Sequence, residues 1–242
     1  MITLHQFESS PFCDKVRRVL QYKGLDYRVE EVAPSTAQLR IARVNKIGKL
    51  PALEHDGKVV ADSTHISRYL DERFPQPPLY PADPRERALC HVYEEWADES
   101  LYFYEVRLRF TFAANMKRWI GKVVEHEPAP VKLLAPLLIP RHFKAILVPQ
   151  GIGRKPEELV LRELDEHLQA LAQLLQGRTW LCGDALSIAD ISVFAQLAAI
   201  RDTVEGGQAV ARQPAVGTWM DRVDRATAKG ARAAAGAAAK TA

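Results

Sequence analysis

The spacing of apolar residues changes character about one third of the way along the chain. Before that point, short strand-like and helix-like pieces alternate. Residues 2–7 read as a strand. Pro11 then suits the first turn of a helix on which Val16, Val19 and Leu20 share one face at the 3.6-residue period, and Gly24 ends it. Residues 27–32 fit a second strand, and a polar helix-like stretch starts at Ser35. Residues 51–54 and 59–61 flank the turn His55-Asp56-Gly57-Lys58, which is a hairpin signal. A further helix sets Ile66, Tyr69, Leu70 and Phe74 on one side and stops at Pro75. The predicted order is βαβαββα.

Between Pro75 and Pro84 five prolines rule out regular helix or central strand, so this segment reads as a linker. Beyond it strand signals nearly vanish. Leu161, Leu164, Leu168, Leu171 and Leu175 trace one helical seam at spacings of three and four. Ser187-Ile188-Ala189-Asp190 has the S-x-x-D form of a capping box opening an apolar, and therefore buried, helix. The expected fold class is α+β: a first domain over residues 1–76, a linker over 77–84, an all-helical domain over 85–226, and an Ala-rich basic tail over 227–242, disordered or frayed. Residues 131–148 are apolar but carry Lys132, Arg141, His142 and Lys144 and are broken by Pro136 and Pro140. They fall short of the ~20 apolar residues a membrane span requires.

Composition changes this picture only in detail. With 47% hydrophobic residues the 242-residue chain can bury a full core. The N-terminus lacks a basic region followed by a long apolar run, so neither a secretory signal nor an anchor is expected, and a cytoplasmic location fits. Cys13, Cys90 and Cys182 lie far apart without metal-ligand spacing, and the seven histidines show no HExxH, so no metal site is expected. The net charge of +3 owes much to the stretch from residue 225 onward, which holds Arg225, Lys229, Arg232 and Lys240 without an acid. From 107 to 155, ten Lys/Arg face only Glu125 and Glu127, which is either a solvated helix face or a basic surface for an anionic ligand.

Three features of the first domain carry candidate chemistry. Ser10-Pro11-Phe12-Cys13 sits where the first strand hands over to the first helix, so a hydroxyl and a thiol meet free N–H groups and the positive end of the helix dipole. A thiolate bound there would have a lowered pKa. Gly48-Lys49-Leu50-Pro51-Ala52-Leu53 brings a proline to the start of a strand, leaving the preceding backbone free for a ligand. Asp62-Ser63 opens the next helix with a carboxylate, a hydroxyl and further N–H groups, able to hold both an amine and a carboxylate. Each has a plainer reading: Ser10 as a helix cap, Cys13 as a packed thiol, Lys49 as a solvated loop residue. Tyr102, Tyr104, Arg107, Phe110 and Trp119 are either core or the wall of an apolar pocket.

Taken together, Ser10 to Arg17, Asn45-Lys46-Ile47-Gly48-Lys49-Leu50-Pro51, and Asp62-Ser63 with Ile66, Tyr69 and Leu70 behind it resemble the N-terminal domain of the glutathione transferase superfamily. Ser187 to Asp190 is similar to that superfamily's capping box. The resemblance implies a thioredoxin-like first domain and glutathione as co-substrate, with a small hydrophobic electrophile as second substrate. It also implies a homodimer; separately, the basic tail reads as disordered or frayed helix, and no nucleic-acid partner is expected. By matching position, Ser10 would donate to the glutathione sulfur, as serine does in the tau class and cysteine in the omega class; Ser9 and Cys13 are alternatives. Leu50 and the cis-proline Pro51 would pair with the cysteinyl part, Asp62 and Ser63 would hold the γ-glutamyl group, Lys49 the glycyl carboxylate, and Phe12 completes the glutathione set. Cys13 also resembles glutaredoxin and prostaglandin E synthase type 2 motifs, but those begin with cysteine where Ser10 stands, so dithiol exchange is not expected. Residues 149–158 resemble metaxin and failed-axon-connections relatives, which keeps a scaffold role with little turnover open beside a glutathione-dependent isomerase or peroxidase.

Overall fold

Strand β1 (Ile2–Gln6) pairs in parallel with β2 (Tyr27–Glu31) and antiparallel with β3 (Ala52–His55), which turns back as β4 (Lys58–Ala61) to give the sheet order β2-β1-β3-β4. The computed structural model describes residues 1–33, 48–125 and 127–228. The helix-like stretch expected from Ser35 lies outside the described residues. The hairpin forms as the Asp-Gly signal requires, with Asp56 (φ 49°) and Gly57 (φ 80°) both left-handed. Helices α1 (Pro11–Tyr22) and α2 (Ser63–Arg73) cover one face of the sheet. Val16, Val19, Leu20, Ile66 and Leu70 are fully buried there with Leu4 and Leu53.

After the proline-rich segment the described chain is helical. Its elements are α3 (Pro84–Trp96), a π-turn (Ala97–Leu101), α4 (Tyr102–Thr111), α5 (Ala113–Val123), α6 (Ala129–Gln150), a 3-10 turn (Ile152–Arg154), α7 (Glu157–Leu174), α8 (Ile188–Arg201), α9 (Val204–Ala211) and α10 (Pro214–Thr227). Two ends differ from the sequence reading. Pro84, placed in the linker, is the first residue of α3, because Asp83 accepts from the Arg85 and Glu86 N–H groups and caps it. Thr227, placed in the tail, closes α10, where Arg18 donates to its hydroxyl at 2.7 Å. Residues 229–242 lie outside the described residues.

Helix α8 is almost wholly buried and packs against α1, α3 and α4, so it is the shared core of both halves. Its capping box is present, and Asp190 extends it: Oδ1 accepts from the Leu181 N–H and Trp219 Nε1, both at 2.9 Å, and Oδ2 from the Ser187 N–H (3.0 Å) and Oγ (2.9 Å). Asp190→Ala strands these buried donors as well as the cap. The expected cost is about 3–5 kcal/mol, seen as a fall in Tm of about 10 °C; a loss below about 1 kcal/mol would contradict this account of the helix.

One expectation fails outright. Pro136 and Pro140 do not break the apolar segment; α6 runs through both and through Pro149. A proline removes one backbone bond and crowds the carbonyl four residues earlier. Much of α6 lies at the surface, with Lys132 and Pro136 exposed and only Ala135 and Leu147 buried, so the freed carbonyls can turn to solvent. Among the described residues no helix is long and apolar enough to cross a membrane.

Candidate functional site

Ser10 is the N-cap of α1: its Oγ accepts from the Cys13 N–H at 3.4 Å, and its own N–H closes a turn onto the Phe7 carbonyl at 3.0 Å. Pro11 occupies the first helical position, where no N–H is missed. The hydroxyl therefore stands at the helix opening, and Ser10 stays partly accessible. Cys13 does not share that exposure. Its side chain is fully buried, its sulfur accepts from the Phe7 N–H at 3.4 Å, and burial pushes its thiol up to about 11. The expectation that hydroxyl and thiol are displayed together is thus corrected: one turn of helix points Cys13 into the core.

The Leu50–Pro51 peptide bond is cis and leads into β3, with Pro51 buried and Leu50 half-buried beside the Ser10 turn. Asp62 caps α2 from a left-handed backbone (φ 77°), its Oδ1 accepting from the Thr64 (3.0 Å) and His65 (3.2 Å) N–H groups. Ser63 is buried behind it.

A cavity of about 980 Å³ opens between the sheet domain and helices α4 and α6. Ser9, Ser10, Phe12, Lys49 and Leu50 form its first-domain wall; Pro51, Asp62 and Ser63 lie outside its lining. The Phe12 ring meets Tyr102 of α4 with centroids 5.1 Å apart. Tyr102 and Phe110 line the cavity as the sequence allowed, whereas Tyr104, Arg107 and Trp119 do not. Tyr104 donates to Glu163 (2.9 Å) and Arg107 to Thr111 and the Lys155 carbonyl. The α6 residues Leu134, Leu138 and Phe143 complete an apolar wall.

Family models described as "Glutathione S-transferase, N-terminal domain" and "Glutathione S-transferase, C-terminal domain" match residues 4–78 and 135–225. The chain belongs to the glutathione S-transferase superfamily. Protein LigF of Sphingobium sp. strain SYK-6 is 28% identical over 234 residues, covering 92% of this chain and 90% of LigF. The crystal structure described as beta-etherase LigF from the same strain superposes with a TM-score of 0.68 at 27% identity, covering 95% of this chain and 96% of that one. Glutathione S-transferase U7 of Arabidopsis thaliana is 26% identical over 132 residues, 54% of this chain and 53% of that protein. The family uses glutathione as co-substrate, and the fold is thioredoxin-like followed by helices.

Within this glutathione transferase fold, α4 supplies two charged residues to the cavity that sequence reasoning missed. Glu105 and Arg109 lie one turn apart, are both buried, and form an ion pair. Their signal in the sequence was the i, i+4 spacing on the face of α4 that also carries Tyr102 and Val106. The basic excess expected over 107–155 is partly neutralised from outside that window: Arg109 by Glu105, Arg118 and Lys122 by Asp202, and Lys155 by Glu163.

Burial pushes the Glu105 carboxyl up to about 6 against the pull of Arg109. The folded state therefore holds this proton more tightly than the unfolded chain. Glu105 makes stability fall as pH rises from about 4.5 to about 6, and the loss persists above 6. Glu105→Gln should remove that slope, so the difference in urea midpoint between the two proteins should change between pH 4.5 and 6.5. A constant difference would contradict it.

Proposed function

We propose that this chain is a glutathione transferase in which Ser10 donates its O–H to the glutathione sulfur, favouring the thiolate for attack on a small hydrophobic electrophile in the cavity. The observation that carries this reading is that Ser10, at the capped opening of α1, lines the same apolar cavity as α4 and α6. Amide N–H groups and the helix dipole favour negative charge at that opening. Leu50 offers backbone pairing to the cysteinyl part and Pro51 fixes the approach; Asp62 and Ser63 hold the γ-glutamyl end, Lys49 the glycyl carboxylate, and Phe12 flanks the tripeptide. The glutathione thiol loses its proton to solvent, the sulfur pair forms a C–S bond, and the leaving group departs with the bonding electrons of the broken bond. Holding the partners side by side supplies much of the acceleration. The protein works as a cytoplasmic homodimer.

Likeness to LigF over nearly the whole chain favours a second reading on the same site, in which the bond broken is a C–O ether bond and the leaving group an alkoxide or aryloxide. Turnover of glutathione with an activated aryl halide and with an aryl ether tests both. Conjugation of the halide supports the transferase; release of the phenol from the ether alone supports the second reading. Glutathione binding without turnover of either would replace both with a binding or scaffold role.

A further inference from the structure

We propose that Arg109 is a positioning residue for the thiolate site: reaching across from the helical half, it holds the Ser9–Ser10 turn and sets the charge felt by a sulfur bound at Ser10. This rests on the reading of Ser10 given above. Arg109 Nη1 donates to the Ser9 carbonyl at 3.0 Å, across 100 residues of sequence. That carbonyl belongs to the peptide that leads into Ser10, so its orientation fixes where the Ser10 hydroxyl begins.

The guanidinium is itself held. Glu105 grips the same Nη1, and the Trp119 ring lies under it with Cζ 3.7 Å from the centroid. Arg109 is only 5% exposed, and its Nε has no hydrogen-bond partner among the described residues. Core packing alone does not call for such a group, because a buried ion pair is often no better than apolar side chains of similar volume. A planar fork that clamps a loop carbonyl beside the cavity gives it a reason.

Other charged groups face Arg109 from both halves. On the helical side Arg118 and Lys122 of α5 both pair with Asp202, at 2.5 and 3.0 Å, and Glu125 follows α5. On the first-domain side Asp14 pairs with Arg17 (3.2 Å) and Arg18 (2.7 Å), with Glu8 exposed at the turn. Glu105 and Arg109 line the cavity with Lys49, Asp98, Glu99, Glu127 and His142, and Asp98 pairs with Lys15.

The test is a pH titration of thiolate ultraviolet absorbance in the glutathione-saturated protein. Arg109→Met should raise the midpoint by about one pH unit, roughly a ten-fold loss of thiolate on the acid side. Arg109→Lys, which keeps charge but not the fork, should move it less, and Glu105→Gln, which leaves the cation uncompensated, should lower it. A purely structural brace would weaken folding in all three and move the midpoint in none, so unchanged midpoints in Arg109→Met and Glu105→Gln would overturn the proposal. If Arg109→Met does not fold, the opposite shifts of Arg109→Lys and Glu105→Gln decide it in the same way. Failure of the Ser10 reading shows separately, as a wild-type protein that develops no thiolate absorbance with glutathione.

Discussion

Ser10→Ala should lower kcat/KM for glutathione conjugation by about 100-fold, in the range seen when one donor to a developing or stabilised anion is removed. The loss should fall mainly on kcat at neutral pH and shrink at high pH, where glutathione ionises unaided. The variant also loses the cap of α1, at a cost of about 1 kcal/mol, which a thermal melt reads independently. Ser9→Ala and Cys13→Ala should stay within a few-fold of wild type. Ser9 is held through its backbone carbonyl, and the Cys13 sulfur is buried, with its thiol pushed up to about 11 by burial. The reverse pattern, with Cys13→Ala inactive and Ser10→Ala active, would move the chemistry to the thiol.

Lys15→Ala should be the most destabilising single change near the site, at about 3–5 kcal/mol, a large share of the usual 5–15 kcal/mol. Lys15 is 1% exposed, and its Nζ lies 2.8 Å from Glu94, 2.7 Å from Asp98 and 3.1 Å from Thr64 Oγ1. Burial opposes the charge, but Asp98 and Glu94 outweigh it and hold the ammonium above the ordinary lysine range. Without the lysine, the buried Glu94 carboxylate and the largely buried Asp98 carboxylate face each other across α3 and the π-turn. Thr64 follows Asp62 and Ser63 at the start of α2, and its single hydroxyl proton lies within reach of Glu94 (3.1 Å) and Asp98 (3.2 Å), so glutathione affinity should fall with stability. Urea unfolding of Lys15→Ala and of Lys15→Ala with Glu94→Gln and Asp98→Asn checks this. The triple variant should recover part of the loss, and equal losses would contradict a charge-based cause.

What the sequence revealed were features whose causes are local. The Asp56-Gly57 turn, the Ser187–Asp190 box and the leucine seam of α7 each depend on neighbours within a few residues, so propensity and period were enough. Ser10, Pro51 and Asp62-Ser63 stood out through their joint order, and the fold brings Ser10 and Leu50 to one cavity. Features set by distant partners stayed hidden. Lys15 looks like a solvated lysine between Asp14 and Val16 until α3 and Asp98 close over it. Arg109 looks like one more base in a basic stretch until Ser9, a hundred residues away, meets it. The prolines of α6 argued for a break that does not occur, because surface placement makes the lost backbone bonds tolerable. The cavity wall was legible only in part, since a shift of one residue in helix register exchanges Tyr102 and Phe103, which face it, for Tyr104, which does not.

The most direct measurement is a crystal structure of the protein soaked with glutathione. The account predicts the tripeptide sulfur within hydrogen-bonding distance of Ser10 Oγ, its cysteinyl backbone paired with Leu50 and its γ-glutamyl end at Asp62 and Ser63. Glutathione bound elsewhere, or bound there with its sulfur turned away from Ser10, would contradict it.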